Sequence, residues 1–181
     1  MADPKSVCVF CGAQNSIPKV HIDAGKVIGK KLAEKNITMV YGGGDCGLMG
    51  AVANESMKNG GHVVGVFPMA LKNIENEHGG LSEIIIVEGM HERKKIMFDR
   101  SDALIVLPGG FGTLDEMFEV ITWKQIGLHT KPIVIFNHEG YWDHLAILME
   151  SIIIKGFARP ETRSFYRVVT TIDEVFDAMQ V

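Results

Sequence analysis

Short apolar runs alternate with longer stretches of helical periodicity along this chain. Residues 6–10, 38–41, 62–66, 83–87, 103–107 and 132–136 are runs with the length and composition of buried parallel strands. Between them, apolar positions recur at helical spacing. Val20, Ala24, Val27, Ile28 and Leu32 share one face of a helix that Pro18 opens and Asn36 stops. Residues 90–101, 141–155 and 173–179 read as further helices, and another runs from near Thr113, through Met117, Phe118, Val120 and Ile121, to about Ile126. A short strand over 168–171 precedes the last helix. Strands alternating with helices predict an α/β fold in one domain over 1–181, a Rossmann-like doubly wound parallel sheet with helices on both faces.

One helix breaks the amphipathic rule. Ile147, Leu148 and Met149 with Ile152, Ile153 and Ile154 make 141–155 more apolar than one core face requires, so a partner subunit is expected to cover part of it. A homodimer is the simplest expectation. No apolar run approaches the ~20 residues of a membrane span. The first residues, Met1 to Lys5, lack the apolar region of a signal peptide, so the expected compartment is the cytoplasm and no membrane partner is expected.

Composition changes this picture little. With 181 residues, 46% hydrophobic and 22% charged, the chain can bury a core without disulfides or metals. A formal charge of -4 gives no basic field for nucleic acid. Cys8 and Cys11 match C-x-x-C, but residues three apart on a strand point to opposite faces and no second pair completes a zinc site. They are expected to be buried thiols, and no metal is expected.

The stretch 107–116, Leu-Pro-Gly-Gly-Phe-Gly-Thr-Leu-Asp-Glu, lies between a strand and a helix. Glycine lets backbone approach a ligand without an intervening Cβ, and the first turn of a helix offers unpaired N–H groups. Gly109, Gly110, Phe111, Gly112 and Thr113 therefore form a candidate phosphate cradle. Thr113 and Glu116 also have capping-box spacing. Glu116 is then either a cap or, with an anion on those N–H groups, a carboxylate free to face the rest of the ligand.

A second glycine-rich turn, 42–50, satisfies Gly42-x-Gly44-x-x-Gly47. It follows the second strand rather than the first, and the next strand ends in Phe67-Pro68 without an acid for a ribose, which weakens a dinucleotide reading. Tight packing alone is one alternative. The favoured one makes Gly43 and Gly44 a wall of a nucleotide-monophosphate pocket. Arg93 and Lys94 stand near the start of a helix, where the macrodipole disfavours cations, which hints at an anionic partner. Arg93 is the stronger candidate because guanidinium binds oxyanions bidentately. A solvated basic face is the plainer alternative.

The Pro-Gly-Gly-aromatic-Gly-Thr-x-x-Glu string, together with Met90-His91-Glu92-Arg93-Lys94, resembles the signature of the Lonely guy family of cytokinin riboside 5'-monophosphate phosphoribohydrolases, whose members are often mislabelled lysine decarboxylases. The resemblance runs from the first strand to the final helix. It implies cleavage of N6-modified adenosine monophosphates to free base and ribose 5-phosphate, with no cofactor and with Arg93 and Glu116 as catalytic residues. It also implies a substrate-binding glutamate in the loop before the Arg-Lys motif: Glu75, with Glu77 as the alternative.

The residues themselves exclude several chemistries. There is no Gly-x-Ser-x-Gly elbow, no Walker pattern and no His-Lys pair of the kind that marks one pyridoxal-dependent decarboxylase group. A phosphate cradle, a carboxylate just inside it and a guanidinium on another helix suit glycosidic cleavage through an oxocarbenium-like state. Asp99 and Asp115 are candidates to protonate the departing base. The rival readings are a nucleotide-binding or sensing module without catalysis, and an NAD-dependent oxidoreductase using the 42–47 turn.

Overall fold

Every run read as a strand pairs with a neighbour, and every pairing is parallel. The computed structural model describes residues 4–71 and 77–180. Its strands are β1 (Ser6–Phe10), β2 (Thr38–Tyr41), β3 (Val63–Pro68), β4 (Glu83–Val87), β5 (Ala103–Val106), β6 (Ile133–Phe136) and β7 (Arg167–Val169), in the order β4-β3-β2-β1-β5-β6-β7. The helices are α1 (Lys19–Glu34), α2 (Gly47–Lys58), α3 (Met90–Asp99), α4 (Phe111–Gln125), α5 (Asp143–Ile154) and α6 (Ile172–Ala178).

Strand alternation builds two cores. On β1, Val7 and Val9 face one side with α1, α2 and α6, while Cys8 and Phe10 face the other with α3, α4 and α5. Cys11 falls in the first core and Cys8 in the second, and all three cysteines are free thiols. The first core is drawn tight where α1 crosses α2: a Cβ at Gly29 would overlap the Val52 carbonyl.

Two boundaries differ from the sequence reading in ways that matter. Helix α4 starts at Phe111, not near Thr113, because extended Gly110 (φ -99°, ψ -155°) is its N-cap. Helix α5 starts at Asp143, not 141; a short 3-10 turn, His138–Gly140, comes first, with Glu139 in the left-handed region at φ 55°. Such a backbone is uncommon for a residue with a Cβ. The chain holds it through Asn137, whose Oδ1 accepts from the Trp142 N–H at 2.6 Å and whose Nδ2 donates to Asp143 Oδ1 at 2.7 Å.

Strand β1 is central, and the strand order reverses direction between β1 and β5. Doubly wound sheets bind ligands at the carboxyl ends of strands around such a switch point. The loops leaving β1 and β5 diverge here to opposite faces, which opens a crevice.

Candidate active site

A cleft of about 400 Å³ lies at that switch point. Its floor is the junction of the two loops. The Gly12 N–H donates to the Pro108 carbonyl at 3.1 Å, and a Cβ on Gly109 would overlap Thr113 Oγ1 and stand 2.9 Å from Gly12 N. Gly109 is therefore a glycine of close approach. Gly110 and Gly112 are different: a Cβ on either would meet nothing within 4 Å, so both present bare backbone to open space.

The first intrahelical bond of α4 runs from the Leu114 N–H to the Gly110 carbonyl at 3.1 Å. The N–H groups of Phe111, Gly112 and Thr113 thus have no intrahelical acceptor, and no side chain caps them. They form the positive end of the helix dipole, an end that favours an anion. The capping box that the Thr113–Glu116 spacing allowed does not form. With the helix starting at Phe111, Thr113 is already its third residue and buried over Gly109, and Glu116 lies in the second turn. A complete capping box closes instead at Thr171 and Glu174 of α6.

Freed from that cap, Glu116 faces the cleft. It is 9% exposed, and its Oε1 lies 3.8 Å from Arg93 Nη1. Burial pushes its carboxyl up to about 7, Arg93 pulls the other way, and the Asp115 carboxylate raises it again. Arg93, 7% exposed, is locked from behind: its Nε donates to the Val66 carbonyl and its Nη2 to the Gly42 carbonyl, each at 3.2 Å. A Cβ on Gly42 would overlap that guanidinium, so the glycine is the space Arg93 occupies.

The remaining expected site residues separate. Phe111 is 92% exposed at the mouth. Gly42 lines the cleft but Gly43 and Gly44 do not; Gly43 takes φ 78° against Phe67, and Gly44 forms an antiparallel bridge with Glu77. Lys94 also lies off the cleft, buried between Asp115 Oδ2 at 3.0 Å and Glu119 Oε1 at 3.1 Å. Glu75 lies outside the described residues. Asp99 pairs with Lys95 and Asp115 with Lys94, and neither lines the cleft, so neither is placed to protonate a base there.

The dinucleotide reading fails on the same geometry. The N-terminus of α2 is already filled: the Gly47 N–H donates to Asn15 Oδ1 at 2.9 Å and the Leu48 N–H to the Gly12 carbonyl at 3.0 Å. The β1–α1 loop sits where a pyrophosphate would bind.

Sequence reasoning missed the α1 side of the cleft, formed by Gln14, Pro18 and His21 together with Tyr141. Tyr141 donates to the Gly109 carbonyl at 2.6 Å and meets the His21 ring edge to face at 5.4 Å. A lone histidine at a helix start carries no motif, so only the fold reveals it.

Fold and cleft together define a Rossmann-like α/β protein with an uncapped, glycine-rich helix start beside a buried carboxylate–guanidinium pair. The family profile described as "Possible lysine decarboxylase" matches residues 49–179. A cytokinin riboside 5'-monophosphate phosphoribohydrolase from Rhodococcoides fascians is 42% identical over 178 residues, covering 98% of this chain and 90% of that one. One from Arabidopsis thaliana is 40% identical over 162 residues, covering 90% and 71%. This chain belongs to that family, the Lonely guy proteins. Among solved structures, a molybdenum cofactor binding protein from Rippkaea orientalis superposes with TM-score 0.72 at 18% identity, covering 98% of this chain and 95% of that one. The molybdenum cofactor carrier protein from Chlamydomonas reinhardtii gives 0.73 at 16%, covering 98% and 96%. These two share the fold. The decarboxylase description finds no support in the site: among the described residues no lysine lines the cleft to form a Schiff base with pyridoxal phosphate.

Proposed function

We propose that this protein hydrolyses the N-glycosidic bond of adenosine 5'-monophosphates, N6-modified ones included, giving free base and ribose 5-phosphate. The observation that carries the proposal is the carboxylate of Glu116, buried against Arg93 in the second turn of a helix whose open end is an anion cradle. Phosphate on Gly110, Gly112 and Thr113 directs the ribose inward toward Glu116. As the bond to the base lengthens, positive charge grows on the sugar, and a carboxylate in a water-poor cleft stabilises it strongly. With its carboxyl near 7, Glu116 also exchanges a proton with attacking water at neutral pH. Arg93, fixed by two backbone carbonyls, keeps part of the Glu116 population ionised and fixes where that charge sits. Overall, water gives hydroxide to the anomeric carbon and a proton to the base.

The relatives' names support the N6-modified substrate class. The same reading includes a cytoplasmic homodimer. Ile147 (66% exposed), Leu148 (53%), Ile154 (73%) and Phe157 (84%) form an apolar surface on and just after α5 that a second copy would cover. No helix among the described residues is long and apolar enough to cross a membrane.

Incubation with AMP and with isopentenyladenosine monophosphate, followed by chromatography, tests the activity. Free base and ribose 5-phosphate are expected from the nucleotides and little from the nucleosides. Equal turnover of AMP and adenosine would overturn the cradle assignment, and no base release from either nucleotide would overturn the activity.

A further inference from the structure

The α1 side of the cleft carries a polar group that the proposed chemistry leaves unused. His21 is 8% exposed and lines the cleft, with its Nδ1 at 3.2 Å from Nδ1 of His138. One proton must lie between those two nitrogens, since neither can be bonded to the other without it. Among the described residues nothing bonds His21 Nε2. That leaves a buried imidazole with one nitrogen engaged and its other nitrogen unbonded beside the cleft.

Its location is specific. Tyr141 bridges the His21 ring to the carbonyl of Gly109, the glycine that opens the cradle. Arg93, by contrast, is anchored on Gly42 and Val66, toward β2 and β3. His21 and Arg93 therefore approach from opposite faces of the sheet, with His21 tied to the phosphate end. The left-handed Glu139 and the Asn137 bonds hold the turn that presents His138.

We propose that His21, backed by His138, reads the charge of the phosphoryl group: its Nε2–H donates to a phosphate oxygen in the cradle, and a bound dianion draws one proton onto the imidazole pair. This rests on the cradle assignment made above. The proton balance is simple. Two neutral imidazoles hold one proton each. On binding, His138, the more exposed partner, takes a third from solvent at Nε2. Its Nδ1 proton stays between the rings, and His21 keeps its own on Nε2 against the phosphate. The titratable groups facing His21 are His138, Glu139 and Tyr141. Burial first, then His138, hold His21 below the usual histidine range, while Glu139 opposes them. His21 is thus held toward its neutral form until an anion arrives.

Calorimetry of AMP binding at pH 7.5, in two buffers of different ionisation enthalpy, counts the protons. It is done on Glu116→Gln, whose turnover is expected to be about a hundredfold slower or more and which lacks the carboxyl that titrates in the same range. A phosphate monoester is already dianionic at this pH. Uptake of roughly half a proton or more is expected for Glu116→Gln and close to none after adding His21→Phe. AMP affinity should fall about tenfold to a hundredfold in the double variant, the range for a hydrogen bond to a charged group, while adenosine affinity stays unchanged. His21→Gln, which keeps a donor but cannot charge, should retain part of the affinity and lose the proton uptake. Proton uptake persisting in His21→Phe or His21→Gln would overturn the inference and leave the cradle standing, as would unchanged AMP affinity in His21→Phe. AMP binding no tighter than adenosine in Glu116→Gln itself would overturn the cradle reading, and this inference with it.

Discussion

Gly42→Ala tests the proposed catalytic assignment without replacing either Arg93 or Glu116. Gly42 is not among the positive-φ glycines, so alanine fits its backbone. Its Cβ does not fit Arg93: it would overlap Nη2 and stand 2.9 Å from Cζ. The guanidinium must leave its place, losing the bond to the Gly42 carbonyl and straining the one to Val66. At the native 3.8 Å, and with an effective dielectric of about 20, the Arg93–Glu116 attraction is on the order of 4 kcal/mol. Retreat to roughly 6 Å would lose about 1.5 kcal/mol of that, or about one pKa unit. The Glu116 carboxyl, already near 7, would then titrate near pH ~8. If the ionised carboxylate is the active form, kcat/KM for AMP against pH rises through about 7 in the parent and about a unit higher in the variant. The variant loses roughly fivefold at pH 7 from ionisation alone and recovers most of it by about pH 9. A steady-state profile from pH 5 to 9 reads this directly. A rising limb at the parental pH, with loss uniform across the range, would refute the idea that Arg93 acts by holding Glu116 ionised.

Glu116→Gln should fold normally and lose about a hundredfold or more in AMP turnover, measured by base release. Because burial raises this carboxyl from 4.5 to about 7 in the folded state, its favourable contribution is complete below 4.5 and lost as pH rises through 7. The Gln variant should therefore gain on the parent with rising pH, by about 3 kcal/mol at the alkaline end, in melts from pH 4 to 9. Gly112→Ala, with open space for its Cβ, should melt like the parent but bind AMP poorly; Gly109→Ala, which collides with Thr113 and Gly12, should lose about 2 kcal/mol or more in denaturant titrations. Leu148→Asp should shift a dimer to monomer in sedimentation velocity, since it places a charge in the exposed apolar face of α5.

Strands and helices were legible because a two-residue alternation and a 3.6-residue repeat are local properties. The uncapped helix start was legible for a related reason: glycines between a strand and a helix state their own geometry. Glu116 was ambiguous because Thr-x-x-Glu spacing fits both a cap and a site, and only the true helix start decides. Gly110 moved that start to Phe111 and removed the cap. The role of Gly42 was out of reach for a different reason. A fingerprint shows that backbone comes close to something but not to what, and here the something is Arg93, 51 residues away in the chain. His21 and Tyr141 lay beyond reach altogether. Their meeting depends on a left-handed turn after β6 and on the packing of α1, neither of which leaves a motif.

The charge balance of the cleft ties its two sides together. Among the described lining residues Arg93 and Glu116 are the side chains that carry charge, and they cancel once Glu116, whose carboxyl lies near 7, is ionised as the proposed chemistry requires. A nucleotide brings about two negative charges at its phosphate. The open end of α4 offers about half a positive charge, and the first turn of α1, which holds His21 against the cleft, about half of another. One negative charge remains uncompensated, and it lies where it would drive Glu116 toward protonation just as ionised carboxylate is required. A proton placed on the His21–His138 pair supplies the missing charge at the phosphate end, on the far side of the sheet from Glu116. Binding of the phosphate then leaves the carboxylate free to answer the cation that develops on the sugar. A nucleoside, which brings no dianion, gives the pair no reason to charge, so selectivity for the phosphorylated substrate arises where the phosphate binds and not at the carboxylate.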